Sequence, residues 1–225
     1  MKFIEPTPVD AVSSELTDLQ VASWREQGFV LVDGLLPLDL VSKLVDAAVS
    51  RFPSANSDEA AGLNDFGGGM TFPDQNRFFN LMSLHPHLLG ATSQLLEEPI
   101  SELRLSQSDL WPKYGRVPGD RGDLDNQDQR MHLDYPNHTL THPPAWDQPE
   151  AVEIIVYLCD ETDVGGATAV VPRESHDDVA YRSPMVNTPG ISDIPWINDR
   201  CRACLLYTSD AADDMQCVDL GGRRI

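Results

Sequence analysis

Basic residues are scarce in this sequence. Lysine and arginine total 16 against 36 aspartates and glutamates, a net charge of −20. Nucleic acids and anionic membranes both recruit positive surface, so neither is an expected partner. The acidic excess reads as a solubilising surface. Long apolar runs are also missing: no stretch nears the ~20 residues that cross a bilayer as a helix. The opening Met1-Lys2-Phe3-Ile4-Glu5-Pro6 lacks the apolar core of a signal peptide, so a cytoplasmic location is expected. In that compartment the sequon Asn137-His138-Thr139 is coincidental. Cysteine is sparse, at Cys159, Cys201, Cys204 and Cys217. Cys201-x-x-Cys204 would be half of a structural zinc site, which takes four ligands, and no second pair exists. The thiols are therefore read as incidental. Asp120, Asp123, Asp125 and Asp128 lack the glycine and the final glutamate that a calcium-binding EF-hand loop requires.

What remains is ordinary globular material. Hydrophobic residues make up 41% of 225, enough for one domain with a substantial core. Residues 1–14 show no periodicity and are expected to form a loose arm. Thr17 and Gln20 have capping-box spacing, opening a helix that should stop at Gly28. Phe29 to Val32 reads as a strand. Pro37 suits a first helical position. Beyond it Val41, Leu44, Val45, Ala48, Val49 and Phe52 make an apolar helical stripe that predicts core packing. Ser54 to Gly69 reads as a mobile loop, of the length that often serves as an active-site lid. Pro86 to Glu98 is a predicted helix stopped by Pro99. Leu103 to Lys113 reads as a strand, with Leu103, Leu105, Gln107, Asp109, Trp111 and Lys113 sharing one face. That face turns from apolar to polar, as a strand does on leaving a core for a pocket.

The chemistry centres on Met131-His132-Leu133-Asp134-Tyr135-Pro136. On a strand, side chains two apart share a face, so His132 and Asp134 would converge. An imidazole and a carboxylate are two-thirds of the 2-His-1-carboxylate facial triad that holds non-heme Fe(II) with open coordination positions. By itself His-x-Asp is a short motif, more often met as a hydrogen-bonded pair, and its context decides. The loop Asn137 to Pro149 follows, bearing His138 and His142, and is placed at the substrate entrance. Glu153 to Leu158 is a β-rich run.

In that context the sequence resembles the phytanoyl-CoA dioxygenase family of Fe(II)/2-oxoglutarate oxygenases. The acidic turn Asp160-Glu161-Thr162-Asp163-Val164-Gly165-Gly166 and the closing Val171-Pro172-Arg173-Glu174-Ser175-His176 follow His132-x-Asp134 in the family's order. Trp24 to Val32, then Leu35-Leu36-Pro37, is similar to its opening helix-strand-helix. The resemblance spans about residues 15 to 200. It implies a mainly β domain with N-terminal helices, a distorted double-stranded β-helix of jelly-roll type. It implies Fe(II) on His132 and Asp134, and 2-oxoglutarate as cosubstrate beside Gln107 and Lys113. O2 and a small molecule would be the other reactants, with succinate and CO2 released. The bland reading of Lys113 is a surface lysine at a strand end.

The sequence departs from the family downstream. The family's second histidine and its cosubstrate-binding arginine lie well past His132, yet no histidine follows His176. From Cys204 the chain instead resembles translated adaptor sequence. The expected organisation is a loose arm at 1–14, a partial oxygenase domain at 15–203 and a non-native tail at 204–225. The tail is expected to pack poorly, and the domain to be C-terminally truncated and inactive for want of a third ligand. Two alternatives compete: a jelly-roll binding protein whose His132 and Asp134 are merely hydrogen-bonded, and a cupin-like metalloenzyme that uses no 2-oxoglutarate.

Overall fold

The computed structural model describes residues 2–10, 12–54, 57–61, 70, 72–106, 108–113, 151–158, 168–174, 199–204 and 217–221. Helix α1 spans Asp18–Gln27 and starts where the capping box requires. Thr17 Oγ1 accepts the Gln20 N–H at 3.3 Å, and Gln20 Oε1 accepts the Thr17 N–H at 2.8 Å. Gly28, at φ 86°, ends the helix in a left-handed conformation that costs glycine little.

Helix α2 covers Leu38–Arg51, with Pro37 as its N-cap, one residue before the expected position. Its buried stripe is Leu40, Leu44, Ala47 and Ala48. Val41, Val45 and Phe52 flank the core as expected, but Val49 is exposed, so the stripe is rotated towards Leu40 and Ala47. Helix α3, Asp58–Ala61, is a single turn inside the stretch expected to be loop. Helix α4, Arg77–Ser83, begins at Asn76, whose Oδ1 accepts the Phe78 N–H at 3.0 Å. Helix α5, Pro86–Leu96, carries its proline at the first turn, where a missing N–H is harmless. It ends at Leu96, two residues short of the expected end, with Glu97 as its C-cap.

Helices α2, α4 and α5 supply the larger core cluster, which includes Leu36, Leu44, Phe79, Met82 and Leu88. Leu110 and Leu158, from the sheet side of the chain, complete it. A smaller cluster joins Leu16 to Ala91 and Leu95 of α5, with Val9, Val21 and Trp24 packed against it.

Among the described residues the strands form three small sheets. Strand β1 (Lys2–Ile4) pairs in parallel with β7 (Arg202–Cys204), which pairs antiparallel with β6 (Ala169–Val170). Strand β2 (Thr7–Pro8) pairs in parallel with β3 (Val32–Asp33). Strands β4 (Trp111–Lys113) and β5 (Ile155–Tyr157) flank β8 (Cys217–Gly221), both antiparallel to it. The expected double-stranded β-helix would run largely through segments outside the described residues.

Three expectations need correction. Within the expected loose arm, two short strands and a buried glutamine tie residues 2–9 down. Among the described residues of the stretch from Leu103, only Trp111–Lys113 is ladder strand. The tail, expected to lack a useful strand, contributes the backbone of β8 between β4 and β5. Its Val218 and Leu220 alternate about Asp219, and two strands with open edges offer it partners on both sides.

Candidate functional site

The stretch leading into β4 shows how the fold positions the region of interest. Ser108, Leu110 and Pro112 are buried in succession, two residues apart, so this register faces the helical core. Leu110 is wholly enclosed, within the larger core cluster. Ser108 Oγ lies 2.7 Å from Ser83 Oγ, a hydroxyl pair that pins the approach to β4 on the end of α4. The odd register behaves differently. Leu103 and Asp109 are half-buried and Leu105 is 44% exposed, so the odd face does not begin in the core, contrary to the sequence expectation.

Strand β5 is anchored next to the same core by Leu158, which is 1% exposed. Tyr157 Oη donates to Thr168 Oγ1 at 2.5 Å, tying β5 to the approach to β6. From β6 the chain enters Val171–Glu174, the first four residues of the closing segment. There the Arg173 N–H donates to Gln27 O at 2.9 Å, and Arg173 Nε donates to Glu26 O at 3.2 Å. A cation at the C-terminal end of α1 meets carbonyls that the helix itself leaves unpaired. Arg200 Nη2 donates to Pro172 O at 2.5 Å and Arg200 Nε pairs with Glu174 Oε1 at 3.2 Å. The closing segment is thus gripped by α1 on one side and Arg200 on the other.

Sheet register fixes where the central motif leaves and rejoins the described fold. Lys113, the last residue of β4, pairs with Cys217, whereas Ile155, the first of β5, pairs with Gly221. Both strands run antiparallel to β8 and therefore parallel to each other. The chain bearing His132 and Asp134 leaves β4 beside one end of β8 and enters β5 beside the other, about 13 Å further along the strand direction at ordinary strand rise.

His132, Asp134 and Gln107 lie outside the described residues, as do His138, His142 and His176. Of Lys113 the backbone is described, at the end of β4. Among the described residues no three His, Cys, Asp or Glu side chains gather in a way that could hold a metal ion. One imidazole and one carboxylate are a donor set suited to Fe(II), supplying two of the three protein ligands of a facial site. No described helix is long and apolar enough to cross a membrane.

Local sequence patterns missed the groups that organise the helical layer. Asp74 accepts two guanidinium bonds from Arg51, both at 2.7 Å, and Gln20 binds the first strands through its carboxamide. Both are tertiary contacts, without a periodic signature.

A family model described as Phytanoyl-CoA dioxygenase (PhyH) matches residues 24–191. No curated protein and no solved structure matches the chain.

Proposed function

The chain belongs to the phytanoyl-CoA dioxygenase family, a family of oxygenases, and from that premise we propose an Fe(II)- and 2-oxoglutarate-dependent dioxygenase acting on a small molecule. The observation that carries the proposal is the family match over 24–191, which contains His132-x-Asp134 in full. Members of the family generally depend on Fe(II) and 2-oxoglutarate. When bound, that pair activates O2: one oxygen atom enters succinate as 2-oxoglutarate loses CO2, and the other hydroxylates the substrate. In this reading His132 and Asp134 hold the metal, and the protein sets ligand geometry and substrate orientation. Gln107 and Lys113, on the odd register leading through β4, are assigned to the cosubstrate. The proposed frame is a distorted double-stranded β-helix with the helical layer packed outside it. The cytoplasm is the proposed compartment; nucleic acid and membrane are not proposed as partners.

No histidine follows His176, so the family's downstream second ligand has no counterpart at that place. Two protein ligands cannot fix a facial geometry, so this 225-residue chain is expected to bind Fe(II) weakly and release no succinate. The same observation supports a second reading, a jelly-roll small-molecule-binding protein without catalysis. Anaerobic Fe(II) binding, followed with and without 2-oxoglutarate, separates the two. The oxygenase reading expects affinity to fall at least about tenfold in His132→Ala, the scale of losing one ligand or its support. Binding of Fe(II) indifferent to that change would overturn the metal assignment. Ligand capture that persists in chelator would favour the binding reading. Succinate released by this chain would overturn its expected inactivity.

A further inference from the structure

The amino-terminal segment crosses from one sheet to another. At its start Ile4 is in register with Cys204 of β7; three residues later Thr7 is in register with Val32 of β3. Little backbone bonding holds the second crossing. Thr7 N–H donates to Leu31 O at 3.2 Å and Val9 N–H to Asp33 O at 3.1 Å, while Pro8 has no N–H to give. Glu5, Thr7, Pro8 and Asp10 are exposed, and Val9 is the half-buried apolar anchor against the smaller core cluster.

The strong attachment is one side chain. Gln20 is 3% exposed, in the first turn of α1. Its Nε2 donates to Thr7 O at 2.9 Å, Thr7 Oγ1 at 2.9 Å and Pro8 O at 3.1 Å. Its Oε1 is occupied by the Thr17 N–H. The amide therefore does two separable jobs: the oxygen caps the helix and the nitrogen holds the arm. A buried amide normally resists losing its partners, at roughly 1–3 kcal/mol for each group left unpaired. Here the departing arm would itself uncover Nε2 to water, which lowers the cost of opening.

We propose that residues 2–10 form a strap, latched to α1 by the Gln20 carboxamide nitrogen, that opens as a unit while the helical layer stays folded. Opening bares the strap-side edges of β3 and β7, the two strands it pairs with. Sub-global openings of this kind draw on segments with few buried contacts and exposed backbone bonds.

Gln20→Glu tests the latch, because it keeps an oxygen for the capping box and replaces the donor with a carboxylate facing two carbonyls. Hydrogen exchange by mass spectrometry on the full chain should show peptides covering 2–10 and 30–34 losing protection by at least about tenfold at neutral pH. Peptides within α1 and α5 should keep theirs. Mild acid should restore part of the strap's protection, since a protonated carboxyl can donate one bond. Thr17→Ala is the counterpart: it removes the hydroxyl cap but spares the amide nitrogen, so the first turn of α1 should loosen while the strap stays protected. The proposal is overturned if residues 2–10 exchange freely in the unaltered chain. It is overturned equally if Gln20→Glu leaves them protected, or if strap and α1 lose protection in step in both variants.

Discussion

Arg51 and Asp74 join the end of α2 to the start of α4, and the strength of that junction can be worked out from its geometry. Arg51 Nη1 and Nη2 donate to the two oxygens of Asp74, each at 2.7 Å, a fork-on-fork pair. The guanidinium also lies 4.8 Å from the centre of the Phe79 ring. Asp74 Oδ1 takes the Asn76 N–H at 2.7 Å, while Asn80 accepts the Asp74 N–H and donates to its carbonyl, both at 2.7 Å. Side-chain exposure is 9% at Asp74 and 25% at Arg51. Breaking a fully buried pair costs about 3–5 kcal/mol and an exposed one under about 1. The intermediate burial here gives a coupling of about 2 kcal/mol. Urea unfolding of Arg51→Met, Asp74→Asn and the double variant, followed by circular dichroism, measures it as a double-mutant cycle. The Arg51 hydrogen bonds, foremost, hold the Asp74 carboxyl below the usual carboxylate range. Its stabilisation is therefore complete above the unfolded value of about 3.9 and is lost as pH falls from there through the folded value. Asp74→Asn should flatten that acid limb. A coupling below about 0.5 kcal/mol, or an unchanged acid limb, would refute the reasoning.

Two further measurements probe the helical layer. His85 caps α5 by accepting the His87 N–H at Nδ1, 3.2 Å away, which only the unprotonated nitrogen can do. Burial first, then the neighbouring His87, pushes its pKa down against an opposing pull from Asp39. Stability should therefore be full above about 6.5 and decline as pH drops below it, and His85→Asn, which keeps a capping acceptor, should remove that decline. Leu110→Ala should cost about 3–4 kcal/mol in urea unfolding, against under about 0.5 for the exposed Leu105→Ala; equal costs would reverse the assigned register.

Helix boundaries were legible where one or two local residues decide them. The Thr17 and Gln20 pair, Gly28 and Pro86 each act within a turn of themselves, and each marks a helix end in the structure. Phase was less legible. The apolar stripe read in α2 included Val49 and left out Leu40 and Ala47, and only tertiary packing decides that those two are inside and Val49 out. The arm was misread for a related reason: its order comes from Gln20 and from partners distant in sequence, while its own residues are exposed and aperiodic. Lys113 falls at a strand end, as the pattern indicated. His132-x-Asp134 was legible as spacing within a family context, and the family match encloses it. Its convergence is a matter of tertiary geometry and lies outside the described residues.

The register approaching β4 gives the candidate site its physical logic. Ser108, Leu110 and Pro112 commit the even positions to the helical core, where they can serve stability and little else. A strand with one face closed has only the other face to offer to chemistry, and a polar group on the closed face would lack water and partners. Leu105 and Asp109, in the odd numbering that Gln107 and Lys113 share, are exposed and half-buried, while Gln107 and the side chain of Lys113 lie outside the described residues. The cosubstrate assignment therefore makes no demand on the residues that hold the helices to the sheet. Damage at even positions should appear as unfolding, while damage at Gln107 or Lys113 should leave stability alone and change ligand binding.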